Sequence, residues 1–132
     1  MPILYSRNAA ERRVIIKVVG RFTRDDIEGV VRRLLDDGAW TYGVLADERL
    51  AEGSVTSADI RAMAEIVADL VAIHGPRGPV ALVGRRGTLA MLQLYSRLAE
   101  EKNSLVGVFD NVPAATMWLT KWQRLFNSDR AS

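Results

Sequence analysis

Cysteine is absent from the 132 residues, which removes disulfides, thiolate nucleophiles and Cys-ligated metals from consideration. Histidine occurs once, at His74, and there is no Gly-x-Ser-x-Gly elbow, so the sequence offers neither a histidine metal cluster nor a hydrolase triad. No apolar run approaches the roughly 20 residues of a membrane-spanning helix. The opening "MPILYSRNAAERR" lacks the basic-then-apolar order of a secretory signal. A cytoplasmic protein without an integral membrane segment is therefore expected. Charge of one sign is scarce too: 18 basic and 16 acidic residues leave a net charge of +2, with the signs interleaved. A nucleic-acid face needs clustered positive charge, so no nucleic-acid partner is expected. The basic residues are 15 Arg and 3 Lys, a bias that suits phosphate recognition and equally suits a GC-rich coding sequence.

What is present is alternation. "ILYS" (Ile3 to Ser6) and the β-branched "RRVIIKVVG" (Arg12 to Gly20) read as a hairpin, with "RNAAE" as its turn. A helix follows, with Thr23 as N-cap, Asp26 three residues on, and Ile27, Val30, Val31, Leu34 and Leu35 at helical spacing before Gly38. "YGVLAD" (Tyr42 to Asp47), "PVALVG" (Pro79 to Gly84) and "LVGVFD" (Leu105 to Asp110) read as further strands. Between them lie a helix with the stripe Ile60, Met63, Ala64, Val67, Val71 and His74, and a second over "GTLAMLQLYSRLAEEKN". "VPAATMWLTKWQRLF" ends the series, with Pro113 in its first turn. The order ββαβαβαβα predicts one α/β domain over residues 1–132, its mixed sheet mostly parallel and covered by about four helices.

Three stretches carry a resemblance: "GRFTRDD" from Gly20, "GPVALVG" leading to "LYSRLAEE", and "VGVFDNVPAATMWL" from Val106. With the element order they cover nearly the whole chain. On these residues the sequence resembles the STAS-like superfamily (sulfate-transporter and anti-sigma-factor-antagonist domains), in particular its SpoIIAA-like branch of stand-alone bacterial proteins. The resemblance implies a non-enzymatic regulatory module acting through protein–protein contacts. In anti-sigma-factor antagonists a serine of an Asp-Ser-Ser-Gly type motif, at the start of a helix, controls partner binding through phosphorylation. The matching stretch here, "GSVTSADI" (Gly53 to Ile60), has no Asp-Ser-x-Gly.

The candidate phosphoacceptor and partner loop is therefore Ser54, Thr56 and Ser57, with Asp47 behind them. A helix N-terminus stabilises a phosphate dianion. Thr56 with Asp59 also has the pattern of a plain cap, and that reading leads. A second candidate is the strand-to-helix turn Gly84, Arg85, Arg86, Gly87 and Thr88, where two arginines and free N–H groups suit a small anionic or lipid-like ligand. It is no Walker sequence, so no nucleotide is specified. Asp25 and Asp26 read as acids in a first helical turn, and Asp47 and Asp110 as strand-end loop caps, not as a metal pocket. No metal and no cofactor are expected. Met91, Leu94 and Tyr95 share a face of the third helix that Leu89 and Leu92 extend, and Trp118 and Trp122 share a side of the fourth that Met117 and Phe126 flank. They are candidates for a core lid, a homodimer face or a partner anchor.

Overall fold

β-branched residues placed at every second position fit a pleated surface with one buried side. In β2 (Arg13–Arg21), Val14, Ile16 and Val18 are buried while Ile15, Lys17 and Val19 are exposed. The computed structural model describes residues 3–52 and 55–131, without the side chains of 129–131. Strand β1 (Ile3–Asn8) pairs antiparallel with β2 across a tight turn, in which the Asn8 side chain accepts the Glu11 N–H at 2.9 Å. Helix α1 (Arg24–Asp36), strand β3 (Gly43–Glu52), helix α2 (Ser57–His74), strand β4 (Val80–Val83), helix α3 (Leu89–Glu101), strand β5 (Val106–Phe109) and helix α4 (Val112–Ala131) follow.

The sheet runs in the order β1-β2-β3-β4-β5, and every pair from β2 onward is parallel. Each crossover moves one strand in the same direction. Right-handed crossovers of that kind deliver consecutive helices to one side. The packing agrees: Leu34 of α1 and Leu92 and Ala99 of α3 meet Val14, Ile16, Val18, Val44, Val80 and Leu82, and α2 fills the layer through Val67 and Leu70 against Val31 and Trp40. The strand order never reverses, so the sheet lacks the switch-point crevice where open α/β sheets usually bind ligands.

Helix α4 covers the other face, where Ala115 and Leu119 pack on Leu45, Ala81 and Val83. Trp118 lies against Phe109, ring centroids 5.5 Å apart, and over Gly107, where a Cβ would come within 2.9 Å of its ring. The middle of α4 is pinned by Gln123, which donates to the carbonyl of Arg12 (2.7 Å) and accepts from Arg13 Nε (2.9 Å). It occupies the space a side chain at Gly43 would need. Among the described residues, no helix is long and apolar enough to cross a membrane.

Three expectations shift. Strand β3 continues past Asp47 to Glu52, and α4 continues past Phe126 to Ala131. His74 is exposed, its ring edge-on to Trp40 at 6.3 Å, because Leu70 closes the buried stripe of α2 one turn earlier.

Candidate functional site

On β3, Val44 and Ala46 point toward the helices, and the next residue on that side is Glu48. Asp47, between Ala46 and Glu48, turns the other way and is buried. Its carboxylate accepts Arg49 Nε–H at 2.9 Å and Nη2–H at 2.8 Å, and also the Arg49 backbone N–H at 3.1 Å. Those hydrogen bonds hold its pKa below the ordinary carboxylate value, against the opposing effect of burial. The pairing with β2 then slips: Lys17 stands opposite Asp47, but Val19 stands opposite Leu50. The extra β3 residue is a bulge, which exposes Leu50 and returns Ala51 to the buried face.

Glu48 borders a cavity of about 190 Å³ between the sheet and the helical layer. Its walls are Ile16 and Val18 from β2, Val30 and Leu34 from α1, Ile60 and Met63 from α2, and Leu92 and Tyr95 from α3. An apolar cavity of roughly 150 Å³ already admits benzene. The exposed bordering residues Glu52, Gly87 and Met91 stand at the carboxyl ends of the strands, so the mouth opens there. The Glu48 carboxyl makes no hydrogen bond or ion pair with any described residue. Burial pushes its pKa up to about 7, with the charge on Asp47 adding to the effect. Toward the amino end of β4 the wall includes Arg77, 8% exposed, whose guanidinium lies 5.4 Å over the Trp40 ring. Arg77 makes no ion pair among the described residues.

The residues singled out from the sequence divide around this mouth. Thr56 is the N-cap of α2: its Oγ1 accepts the Asp59 N–H at 3.1 Å, and the Asp59 carboxylate accepts the Thr56 N–H at 3.2 Å. The same box at Thr23 and Asp26 starts α1. Ser57 is exposed in the first turn, and Val55 borders the cavity. Ser54, with Gly53, lies outside the described residues. Asp47 does not stand at the strand's end behind this segment; it sits five residues earlier, held by Arg49.

The turn at Gly84 is also used differently from the expectation. Arg85 Nη1 donates to the carbonyls of Arg49 (2.9 Å) and Ala51, tying the α3 turn to the bulged end of β3. Gly84 N–H donates to Phe109 O within the sheet, and Thr88 Oγ1 accepts the Arg85 N–H at 3.1 Å. Arg86 is exposed, while Gly87 and Thr88 border the cavity. The two apolar sets do not form one surface. Met91 and Tyr95 border the cavity on the α1–α3 side, and Leu94 is partly buried, whereas Trp118 and Trp122 pair on the α4 side with centroids 6.4 Å apart.

Glu48 and Arg77 were missed in the sequence. For Glu48 a signal existed: it continues the inward parity of Val44 and Ala46. The charged run Asp47-Glu48-Arg49 reads instead as a loop. Nothing local marks Arg77, which follows Gly75-Pro76.

No protein-family model matches the chain, and no curated protein matches it. Among solved structures it is similar to an uncharacterized protein of the DUF3478 family, with a SpoIIAA-like fold, from Shewanella loihica PV-4. The TM-score is 0.56 at 20% identity, over 89% of this chain and 91% of that one. The fold of this chain is thus SpoIIAA-like, as the sequence resemblance implied; at that identity the likeness says nothing finer.

Proposed function

We propose that the chain is a non-enzymatic binding module whose working part is the cavity under α1, α2 and α3, and that it takes up a small, largely apolar molecule. The cavity itself carries this reading. Protein interiors pack with few voids larger than a water molecule, and an apolar void of about 190 Å³ forfeits on the order of 4 kcal/mol if it stays empty and fully enclosed. An open mouth lowers that cost, and a ligand offsets it. A binding role fits the wall, whose ionisable members are Glu48, Glu52, Arg77 and Tyr95 in an otherwise mostly apolar lining. A native mass spectrum of gently purified protein, followed by thermal melts with millimolar 2-phenylethanol, tests the reading. A retained small molecule, or a rise in Tm with the alcohol, supports it. A bare mass together with an unmoved Tm contradicts it.

A second reading, a regulatory module acting through protein contacts, is favoured by a different observation. Helix α4 lies over β3, β4 and β5 and, among the described residues, meets β2 through Arg13 at its start, while Leu4, Ile15 and Val19 on that face stay exposed. Leu4 (58% exposed), Ile15, Val19 and Leu50 (55%) are exposed around Lys17 there. A homodimer or a protein partner would bury them. Phosphorylation at Thr56 or Ser57 would place a dianion at the start of α2, beside the cavity mouth. Sedimentation of the wild type and of Leu4→Lys/Val19→Lys over a range of concentrations tests self-association. Concentration-dependent dimerisation that the double variant loses supports the dimer, and a monomer throughout contradicts it.

A further inference from the structure

The geometry points to Glu48 as the polar anchor of the cavity and to a small apolar amine as the ligand class it selects. This rests on the cavity being a ligand site, the reading given above. A carboxyl in an apolar wall needs a partner in order to ionise there, and the described chain supplies none. Arg49 is engaged by Asp47, and Arg85 donates to the carbonyls of Arg49 and Ala51. Arg77 stands at the other end of the cavity over Trp40.

The surrounding elements leave the same gap. Strand β2 faces the cavity with Ile16 and Val18, while α1 and α2 bring only aliphatic side chains and Met63. From α3 comes Tyr95, and from β3 a second acid, Glu52, at the mouth.

Each ligand chemistry meets this wall differently. A carboxylate or phosphate head at the mouth would face Glu48 and Glu52, two like charges. An alcohol offers a single hydrogen bond and no countercharge for Glu48. An ammonium supplies the missing countercharge and up to three N–H donors, while its apolar body fills the aliphatic part of the cavity. Its arrival releases the Glu48 proton to solvent wherever that carboxyl was still neutral. The anionic ligand suggested by Arg85 and Arg86 is therefore disfavoured at this end of the site.

The test is calorimetric titration of 2-phenylethylamine, 2-phenylethanol and phenylacetate, which share one ring, into wild type, Glu48→Gln and Glu48→Asp at pH 8. The amine is expected to bind the wild type about tenfold tighter than the alcohol, the scale of a hydrogen bond to a charged group, and tighter than phenylacetate. Glu48→Gln should erase the amine's advantage and leave alcohol binding in place, while Glu48→Asp should keep a preference for the amine. Phenylacetate binding as tightly as the amine, or an amine preference that survives Glu48→Gln, overturns the inference. Binding of the alcohol with no amine preference sinks this inference and spares the cavity reading. No binding of any probe to any of the three proteins sinks both.

Discussion

Asp47 and Glu48 are consecutive in β3 and turn their carboxyl groups to opposite faces of the sheet: Asp47 to Arg49, Glu48 to the cavity. The two groups consequently titrate in opposite directions, Asp47 lowered and Glu48 raised. One strand thus carries a carboxylate stabilised as an anion and a carboxyl that resists becoming one.

The Glu48 shift makes stability depend on pH. In the unfolded chain this carboxyl ionises near its ordinary 4.5, and in the native protein near about 7. Between those values the native state holds the extra proton, so stability falls as pH rises and levels off above about 7. The full shift corresponds to about 3 kcal/mol, an upper bound for a partly exposed residue. Asp47 acts in the opposite sense and below this window, losing its contribution as pH falls through its depressed value. Urea unfolding at pH 5 and pH 8 should show the wild type losing stability across the interval and Glu48→Gln losing much less. Equal losses in the two proteins would remove Glu48 as the cause.

Thr56 closes a reciprocal cap with Asp59, and Ser57 has no such role. Thr56→Ala should cost about 1 kcal/mol, Thr56→Ser much less, and Ser57→Ala close to nothing in a thermal melt. A Ser57→Ala loss as large as that of Thr56→Ala would mean that the α2 start is held together in another way.

Gln123 is buried and serves as both donor and acceptor to the β1–β2 turn. Gln123→Ala removes the acceptor of Arg13 Nε and one of the two donors to the Arg12 carbonyl, which keeps the Gly43 N–H, and should cost about 1 to 3 kcal/mol. Gly43→Ala should also destabilise, because its new methyl meets the Gln123 side chain. Denaturant melts followed by tryptophan fluorescence read both, since Trp118 and Trp122 lie on the same helix. If either variant matches the wild type, α4 is not held at this point.

How legible each part was depended on whether its signal is local. The caps at Thr23 and Thr56, the α1 stripe from Ile27 to Leu35 and the apolar runs of β4 and β5 are short-range patterns, and the structure keeps them. Val55, Gly87 and Thr88 from the two loops do border one cavity, but its wall is made by side chains from β2, β3 and three helices, which no single stretch encodes. The end of β3 was misplaced because a bulge breaks the alternation exactly where the charges begin, so Ala51 returns to the core four residues past Asp47. Arg85 looked free for an anion because its acceptors, the Arg49 and Ala51 carbonyls, are remote in sequence.

The most direct test of the central claim is a methyl NMR titration with 2-phenylethanol. Binding in the cavity should shift the methyls of Ile16, Ile60 and Leu92, which border it, and leave those of Val83 and Leu119, on the α4 side of the sheet, unmoved. Saturable shifts confined to the first group are the predicted result. No shifts at all, or shifts centred on Val83 and Leu119, would contradict the account.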